Sequence, residues 1–277
     1  MSSLPLQRPA PKPALPSPSR PAKTVIVGAR GRMGAMFLAR AKAAGLAVTG
    51  VDLPFSQQSL HSACAQVTLA LICVPAAVFR SVTTQICPHL PPQTVLADIT
   101  SVKEIPLRQM QEIWAGPVVG THPLFGPQPA PQTDQPVVIV PGKNANARHI
   151  ALASGFFTTL GCRVFAASAE EHDKAMACIQ NMNFITSLAY FALLAEHEEL
   201  LPFLTPSFRR RLDAAQKMLT EDARMFAGLF DANPHSAEAV RQYRRMLGLA
   251  AAGDIDLLCQ RVRWWWTKDS PAMQKKW

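Results

Sequence analysis

The sequence has no C-x-x-C pair, no apolar run of membrane-spanning length and no acidic residue in its first 22 positions. Its six cysteines (Cys64, Cys73, Cys87, Cys162, Cys178 and Cys259) are scattered, several of them inside apolar runs where a thiol packs as a small hydrophobe. This usage argues against a disulfide or zinc framework, so no metal site is expected, and it fits a reducing cytoplasm. The longest apolar run, Val67 to Phe79, contains Pro75 and falls short of the roughly 18–20 residues a membrane span needs. It reads as a strand leaving a core, and no membrane partner is expected. Residues 1–22 hold seven of the 24 prolines, together with Arg8, Lys12 and Arg20. Such a segment buries too little apolar surface to offset ordering and reads as a flexible tail. It lacks the continuous apolar stretch of a secretory signal.

What is present is ample core material: 48% of the 277 residues are hydrophobic. The formal charge of +9 is spread among the tail, Arg209 to Arg211, Arg241 to Arg245 and the C-terminus, with no recognisable nucleic-acid motif. Solvated helix faces account for most of it and an anionic small substrate for a few members, so no nucleic-acid partner is expected. Strand candidates are Lys23 to Val27, Ala47 to Val51, Leu69 to Val74, Val95 to Ala97, Pro117 to Gly120 and Val137 to Val140. Helix-compatible segments separate several of them, a pattern that predicts a mostly parallel sheet covered on both faces. Near residue 166 the pattern changes. Ser168 and Glu171 have capping-box spacing, and from there to the end the chain is Ala-, Leu- and Met-rich with helical periodicity. The expected architecture is therefore an α/β Rossmann-type nucleotide-binding domain over 23–166 followed by an all-α domain over 167–277.

The turn after the first strand reads Gly28-Ala29-Arg30-Gly31-Arg32-Met33-Gly34. Counted from Ala29 it is A-x-G-x-x-G, with Gly28 one residue early. Gly31 would let the backbone approach a pyrophosphate, Gly34 would let helix and sheet pack tightly, and the helix N-terminus would supply N–H groups and positive dipole. Asp52 closes the second strand 18 residues after Gly34. A carboxylate there accepts both ribose hydroxyls and repels a 2′-phosphate, which favours NAD over NADP. Pro54 and Phe55 follow it where a basic residue would suit NADP. Val74 and Pro75, at the end of the third strand, complete the cofactor candidates.

Two loops carry the chemistry. One is Asp98-Ile99-Thr100-Ser101-Val102-Lys103 and the other is Gly120-Thr121-His122-Pro123-Leu124-Phe125-Gly126-Pro127, each placed where a strand ends. In open α/β sheets ligands bind outside the carboxyl ends of strands, so both loops should face the nicotinamide. With Val-Ile-Val-Gly at 25–28, Arg-Met-Gly at 32–34 and Glu171-His172-Asp173 followed by Ile179-Gln180, these segments make the sequence resemble the prephenate dehydrogenase family. The match runs from about Lys23 to about Trp266 and is best with the dehydrogenase half of bifunctional chorismate mutase–prephenate dehydrogenases. The resemblance implies that His122 accepts a hydrogen bond or proton from the group on C4 of a cyclohexadiene dicarboxylate as hydride leaves for NAD. Neutral imidazole suits that task, since its reference pKa of about 6.5 lies near working pH. Ser101 would hydrogen-bond the substrate beside it, with Thr100 and Gln180 as further substrate contacts. Taken without the resemblance, Ser101 also reads as a helix N-cap before Val102, and His172 reads as structural.

The sequence departs from the family at two positions. Counted from Glu171-His172-Asp173, a substrate-site histidine becomes Phe184; counted back from Asn233-Pro234 and forward from Pro206, a carboxylate-binding arginine becomes Lys217, while Arg209 is retained. Arg209, Asp213 and Lys217 are spaced i, i+4, i+8 and share one helix face. Lysine keeps the charge but gives up the planar two-toothed grip on a carboxylate. Phe184 removes a polar partner and adds an apolar wall. These changes make 4-amino-4-deoxyprephenate a candidate substrate alongside prephenate, with arogenate third. The resemblance further implies a homodimer built by the helical half. There Phe184, Leu188, Phe191 and Ala195 form an apolar stripe, and at least one of Trp264, Trp265 and Trp266 should meet a core or a partner. Rival readings are another two-domain NAD-dependent dehydrogenase, of the hydroxyacid or imine-reductase kind, and a non-enzymatic NAD-binding protein. The first lacks a counterpart of H-P-L-F-G-P, and the second would not need Ser101 and His122.

Overall fold

A computed structural model describes residues 14–21, 23–129 and 134–267. The chain divides into two compact units between Glu170 and Glu171, against an expected boundary at 166.

The first unit alternates strands and helices: β1 (Thr24–Val27), α1 (Arg32–Ala43), β2 (Val48–Val51), α2 (Gln57–Cys64), β3 (Leu69–Ile72), α3 (Ala76–Ile86), β4 (Val95–Asp98), α4 (Glu104–Ile113), β5 (Val118–Pro123), β6 (Pro136–Pro141), α5 (Ala147–Thr159) and β7 (Arg163–Ala166). The strands form one sheet in the order β2-β1-β3-β4-β5-β6-β7. The first five run parallel, and β6 turns antiparallel to β5 and carries β7 with it. Strands β1, β3 and β4 are buried on both faces and read as continuous apolar runs, as strands covered by crossover helices must. One face packs Leu60, Phe79, Val82, Ile86, Leu107 and Met110 of α2, α3 and α4. The other packs Phe37 and Ala41 of α1 against Ala153, Phe156 and Phe157 of α5. Rings of Phe156 and Phe157 meet edge-on at 5.2 Å. Each of the fully buried phenylalanine, valine, isoleucine and methionine side chains among them contributes about 1.5–3 kcal/mol. Strand β2 lies on one side of β1 and β3 on the other, so the strand order reverses between β1 and β3, the position where such sheets open a ligand crevice.

Two features of this unit differ from expectation. Strand β7 is additional; its four residues are exposed or half-buried and lack the continuous apolar run that marks β1 and β3. The proline-rich leader is not free throughout. Residues 1–13 lie outside the described residues, but 14–21 dock on the domain. Ser19 N–H donates to the Ala151 carbonyl at 2.9 Å, the Arg20 guanidinium donates to the Ala44 carbonyl at 2.5 Å, and Leu15 packs on the α1–α5 core. A Cβ at Gly155 would overlap the Ser19 backbone, so α5 carries a glycine where the strap crosses it.

The second unit is helical: α6 (Ala169–Met176), a π-helical turn (Ala177–Asn181), α7 (Met182–Leu194), α8 (Pro206–Thr220), α9 (Ala223–Ala232), α10 (Ser236–Ala251) and α11 (Ile255–Val262). Helix α6 begins directly after Ser168 and its first two residues fall in the first unit. The π-turn makes α6 and α7 one continuous rod of 26 residues, long and apolar enough to cross a membrane by length and composition. That rod carries polar groups satisfied inside the helical unit. His172 Nδ1 and Asp173 Oδ1 pair at 2.6 Å, Asn233 donates to the Asp173 carbonyl at 2.8 Å, and Asn181 donates to Ser236 Oγ at 2.8 Å. His172 is therefore a buried packing residue. Trp264, Trp265 and Trp266 lie in a 3-10 turn, 44%, 54% and 67% exposed, so none of them meets the core of this unit.

Candidate active site

Strand β1 is followed directly by Gly28, whose φ is +89°. A Cβ there would lie 2.5 Å from the Cys73 carbonyl oxygen and 2.9 Å from Val74 Cγ1, so only glycine lets β1 end against the end of β3. A Cβ at Gly34 would overlap the Gly28 carbonyl, so that glycine lets α1 close on the turn. The backbone thus excludes a side chain at Gly28 and at Gly34, which with Gly31 are spaced G-x-x-G-x-x-G. Ala29 is buried at 8% exposure with its methyl over Gly50, where a Cβ would come within 2.5 Å. Gly31 precedes α1 with no side-chain cap, and the first turn of that helix has no acidic residue. An uncapped, positively polarised helix end beside a cradle that any Cβ would fill suits a pyrophosphate. Arg30 and Arg32 are exposed at this turn and Met33 packs inward.

Asp52 follows β2 and is half-buried, with both carboxylate oxygens accepting the Arg30 N–H at 3.0 Å. The carboxylate is thereby fixed beside the glycine turn. Val74 abuts Gly28, and Pro75 precedes α3 without a side-chain cap. Between these elements Cys73 is buried; burial first, then the Asp98 and Asp52 carboxylates, push its thiol far up, so it stays protonated.

One strand further, β4 delivers Asp98, then Thr100 and Ser101, both half-buried. Ser101 is not a helix cap: α4 starts at Glu104, with Lys103 at the cap position and no side-chain cap bond. His122 lies in β5 opposite Val138 and is 4% exposed. The β4–β5 ladder pairs Asp98 with Gly120, and strand alternation places Asp98, Gly120 and His122 on the same face of the sheet. Glycine turn, Val74–Pro75, Thr100–Ser101 and His122 thus occupy the carboxyl ends of four consecutive neighbours in the sheet, β1, β3, β4 and β5, with Asp52 on the far side of β1.

The helical unit presents the remaining candidates. Gln180 sits on the π-turn, with its Oε1 buried and lacking a hydrogen-bond partner among the described residues. Arg209, Asp213 and Lys217 share α8 and all three are exposed. Asn183 approaches Met218 Sδ at 3.7 Å, which makes the first turn of α7 a neighbour of the Lys217 end of α8. Phe184 corrects an expectation. It is 2% exposed and its ring stacks on Phe226 of α9 at 5.6 Å, so it packs the helical unit and offers no open apolar wall.

Asp98 and Lys103, at the two ends of the first loop, have no assigned role in the sequence. Both side chains are 0% exposed and form an ion pair. The signal was available: a carboxylate and an amine five residues apart, closing an otherwise apolar strand.

Residues 39–166 match the family described as prephenate dehydrogenase, nucleotide-binding domain. Over 232 residues the chain is 30% identical to the T-protein of Enterobacter agglomerans, covering 82% of this chain and 61% of that one. The chain belongs to the prephenate dehydrogenase family. Solved structures show the same fold. Prephenate dehydrogenase from Aquifex aeolicus, in complex with hydroxyphenyl propionate and NAD+, aligns at TM-score 0.72 with 17% identity over 87% of this chain and 94% of that one. Synechocystis arogenate dehydrogenase aligns at TM-score 0.70 with 18% identity over 88% and 97%. This prephenate dehydrogenase relative spans about three fifths of the T-protein's length.

Proposed function

We propose that the protein catalyses NAD-dependent oxidative decarboxylation of a prephenate-like cyclohexadiene, giving an arylpyruvate and carbon dioxide. The observation that carries this reading is the placement of His122 and Ser101 on adjacent strand ends, on the same sheet edge as the glycine turn. NAD, when bound, supplies the hydride acceptor. Gly28, Gly31 and Gly34 would hold its pyrophosphate, and Asp52 its ribose hydroxyls. His122 accepts the proton from the C4 substituent, which raises electron density on C4 as hydride departs. Ser101 hydrogen-bonds the substrate and fixes the ring. Near-complete burial of His122 keeps bulk water from competing for that proton. Arg209 and Lys217 bind carboxylate, and the unpartnered Gln180 oxygen accepts a hydrogen bond. Loss of carbon dioxide then aromatises the ring and makes the sequence irreversible.

Two substrates fit. Lysine at 217 and phenylalanine at 184, packed on Phe226, leave a site with one planar cation and one polar partner fewer than the family pattern. This favours 4-amino-4-deoxyprephenate alongside prephenate. Purified protein with NAD and each substrate in turn should form NADH and the matching arylpyruvate. Phe184→His combined with Lys217→Arg should shift preference towards prephenate, and an unchanged preference would sink the assignment of those positions. The exposed Ile179, Leu193 and Phe203, at 68%, 68% and 77%, favour a homodimer through the helical unit, which sedimentation velocity would test.

A further inference from the structure

We propose that the buried Asp98–Lys103 pair is the positioning element for His122 and Ser101. This inference rests on the catalytic reading of those two residues. The backbone ladder between β4 and β5 stops at Asp98 and Gly120, two residues short of His122. Side chains continue the connection from there. The Lys103 ammonium donates to the Thr121 carbonyl at 2.7 Å, directly before His122. It also donates to the Asp98 carboxylate and, at 3.1 Å, to Thr100 Oγ1. Asp98 accepts the Thr121 N–H through Oδ1 at 3.3 Å and the Thr100 N–H through Oδ2 at 2.9 Å, and the Thr121 hydroxyl donates to the Asp98 carbonyl. One carboxylate and one ammonium therefore hold the residue before His122 and the residue before Ser101 at the same time. Gly120 makes room for this: a Cβ there would lie 3.2 Å from Lys103 Cδ and 3.5 Å from Leu107 Cδ1.

Two unit charges are costly to bury unless each is paired and fully hydrogen-bonded. A well-packed apolar pair would close the sheet as well, but it could not grip a carbonyl and an N–H on the β4-facing side of β5, where the ladder with β4 has ended and only the ladder with β6 continues past His122. What the charged pair adds is directional fixing of Thr121 and Thr100. An ångström of misplacement in a reacting group costs roughly 100-fold in rate.

Lys103→Met alone strands a buried carboxylate and should lower both thermal stability and turnover. The double variant Lys103→Met with Asp98→Asn removes both charges while keeping the side-chain shapes. It should regain most of the lost stability yet keep kcat roughly 100-fold down, with substrate KM and the NADH dissociation constant within about twofold of the parent. Recovery of kcat together with stability would show the pair to be packing only and overturn the proposal. Should the double variant fail to fold, Thr121→Val deletes one hydroxyl of the same network and should lower kcat about tenfold with NADH affinity intact; full kcat there overturns it equally. If the parent turns over neither prephenate nor its 4-amino analogue, the functional reading fails by itself. The pair is then judged by a crystal structure of the double variant, or of Thr121→Val if that is the variant that folds. A His122 ring displaced from its parent position supports the proposal, and an unmoved ring overturns it.

Discussion

Gly28→Ala tests the cofactor turn at its tightest point. Two costs add. The residue's φ of +89° lies where an L side chain is disfavoured by roughly 1–2 kcal/mol. The new methyl would also start 2.5 Å from the Cys73 carbonyl oxygen and 2.9 Å from Val74 Cγ1, and forcing an extra methyl into a packed site typically costs about 1–3 kcal/mol. Neither neighbour yields cheaply. Cys73 O is backbone at the end of β3, and the Cys73 N–H is held by the Val27 carbonyl at 2.7 Å. A total near 3 kcal/mol should lower the melting temperature by roughly 6–12 °C in a unit of this size. Opening the turn should also weaken NADH binding by roughly 10- to 100-fold, since the backbone that faces the pyrophosphate moves. The assay is differential scanning fluorimetry alongside NADH fluorescence titration. Gly228→Ala is the matched control: it lies exposed in α9 with nothing within 4 Å of a new Cβ. It should raise stability by about 0.5–1 kcal/mol and leave NADH affinity unchanged. A Gly28→Ala protein with parental melting temperature and parental NADH affinity would refute the reasoning.

Two further outcomes follow from side-chain environments. Cys64 is pushed up to about 11 and Cys87 to about 12 by burial, Cys73 and Cys162 also shift upward, and only Cys178 and Cys259 are exposed. Ellman's reagent should therefore titrate no more than two thiols in the native protein and all six after denaturation; a third fast thiol would contradict the packing. His149 has its pKa lowered, by burial first and then by Arg148, and its Nδ1 accepts the Asn146 N–H at 3.2 Å in the capping box of α5. A depressed folded-state pKa contributes stability above the ordinary histidine value that is lost as pH falls through the folded value. His149→Gln keeps an acceptor without titrating, so it should flatten the acidic limb of melting temperature against pH, by an amount equivalent to about 0.5–1 kcal/mol. Parallel limbs in the two proteins would exclude His149 as the source.

The first unit was legible where hydrophobic pattern and turn chemistry agree. Strands β1 to β6 were expected close to where they lie, because a doubly covered sheet demands continuous apolar runs separated by helix-compatible segments. What escaped depended on tertiary contacts. The strap at 14–21 has a disordered composition but finds Gly155 and the Ala44 carbonyl waiting on the domain surface. The exclusion of any side chain at Gly28 escaped because the deciding neighbour, Cys73, lies 45 residues away in sequence. Helical periodicity marked Phe184 as apolar without naming Phe226 as its partner, and it could not show the π-turn that orients Gln180. Lys103 carried no assigned role in the sequence, because only the folded sheet brings Asp98 and the Thr121 carbonyl around its ammonium.

The decisive step is hydride leaving ring carbon C4 beside His122. Substrate carrying deuterium at C4 should yield singly deuterated NADH and unlabelled carbon dioxide, read by mass spectrometry. His122→Asn should slow that transfer by roughly 10²- to 10⁴-fold while binding NADH as the parent does. Label retained in the aromatic product, or transfer at the parental rate without the imidazole, would contradict it.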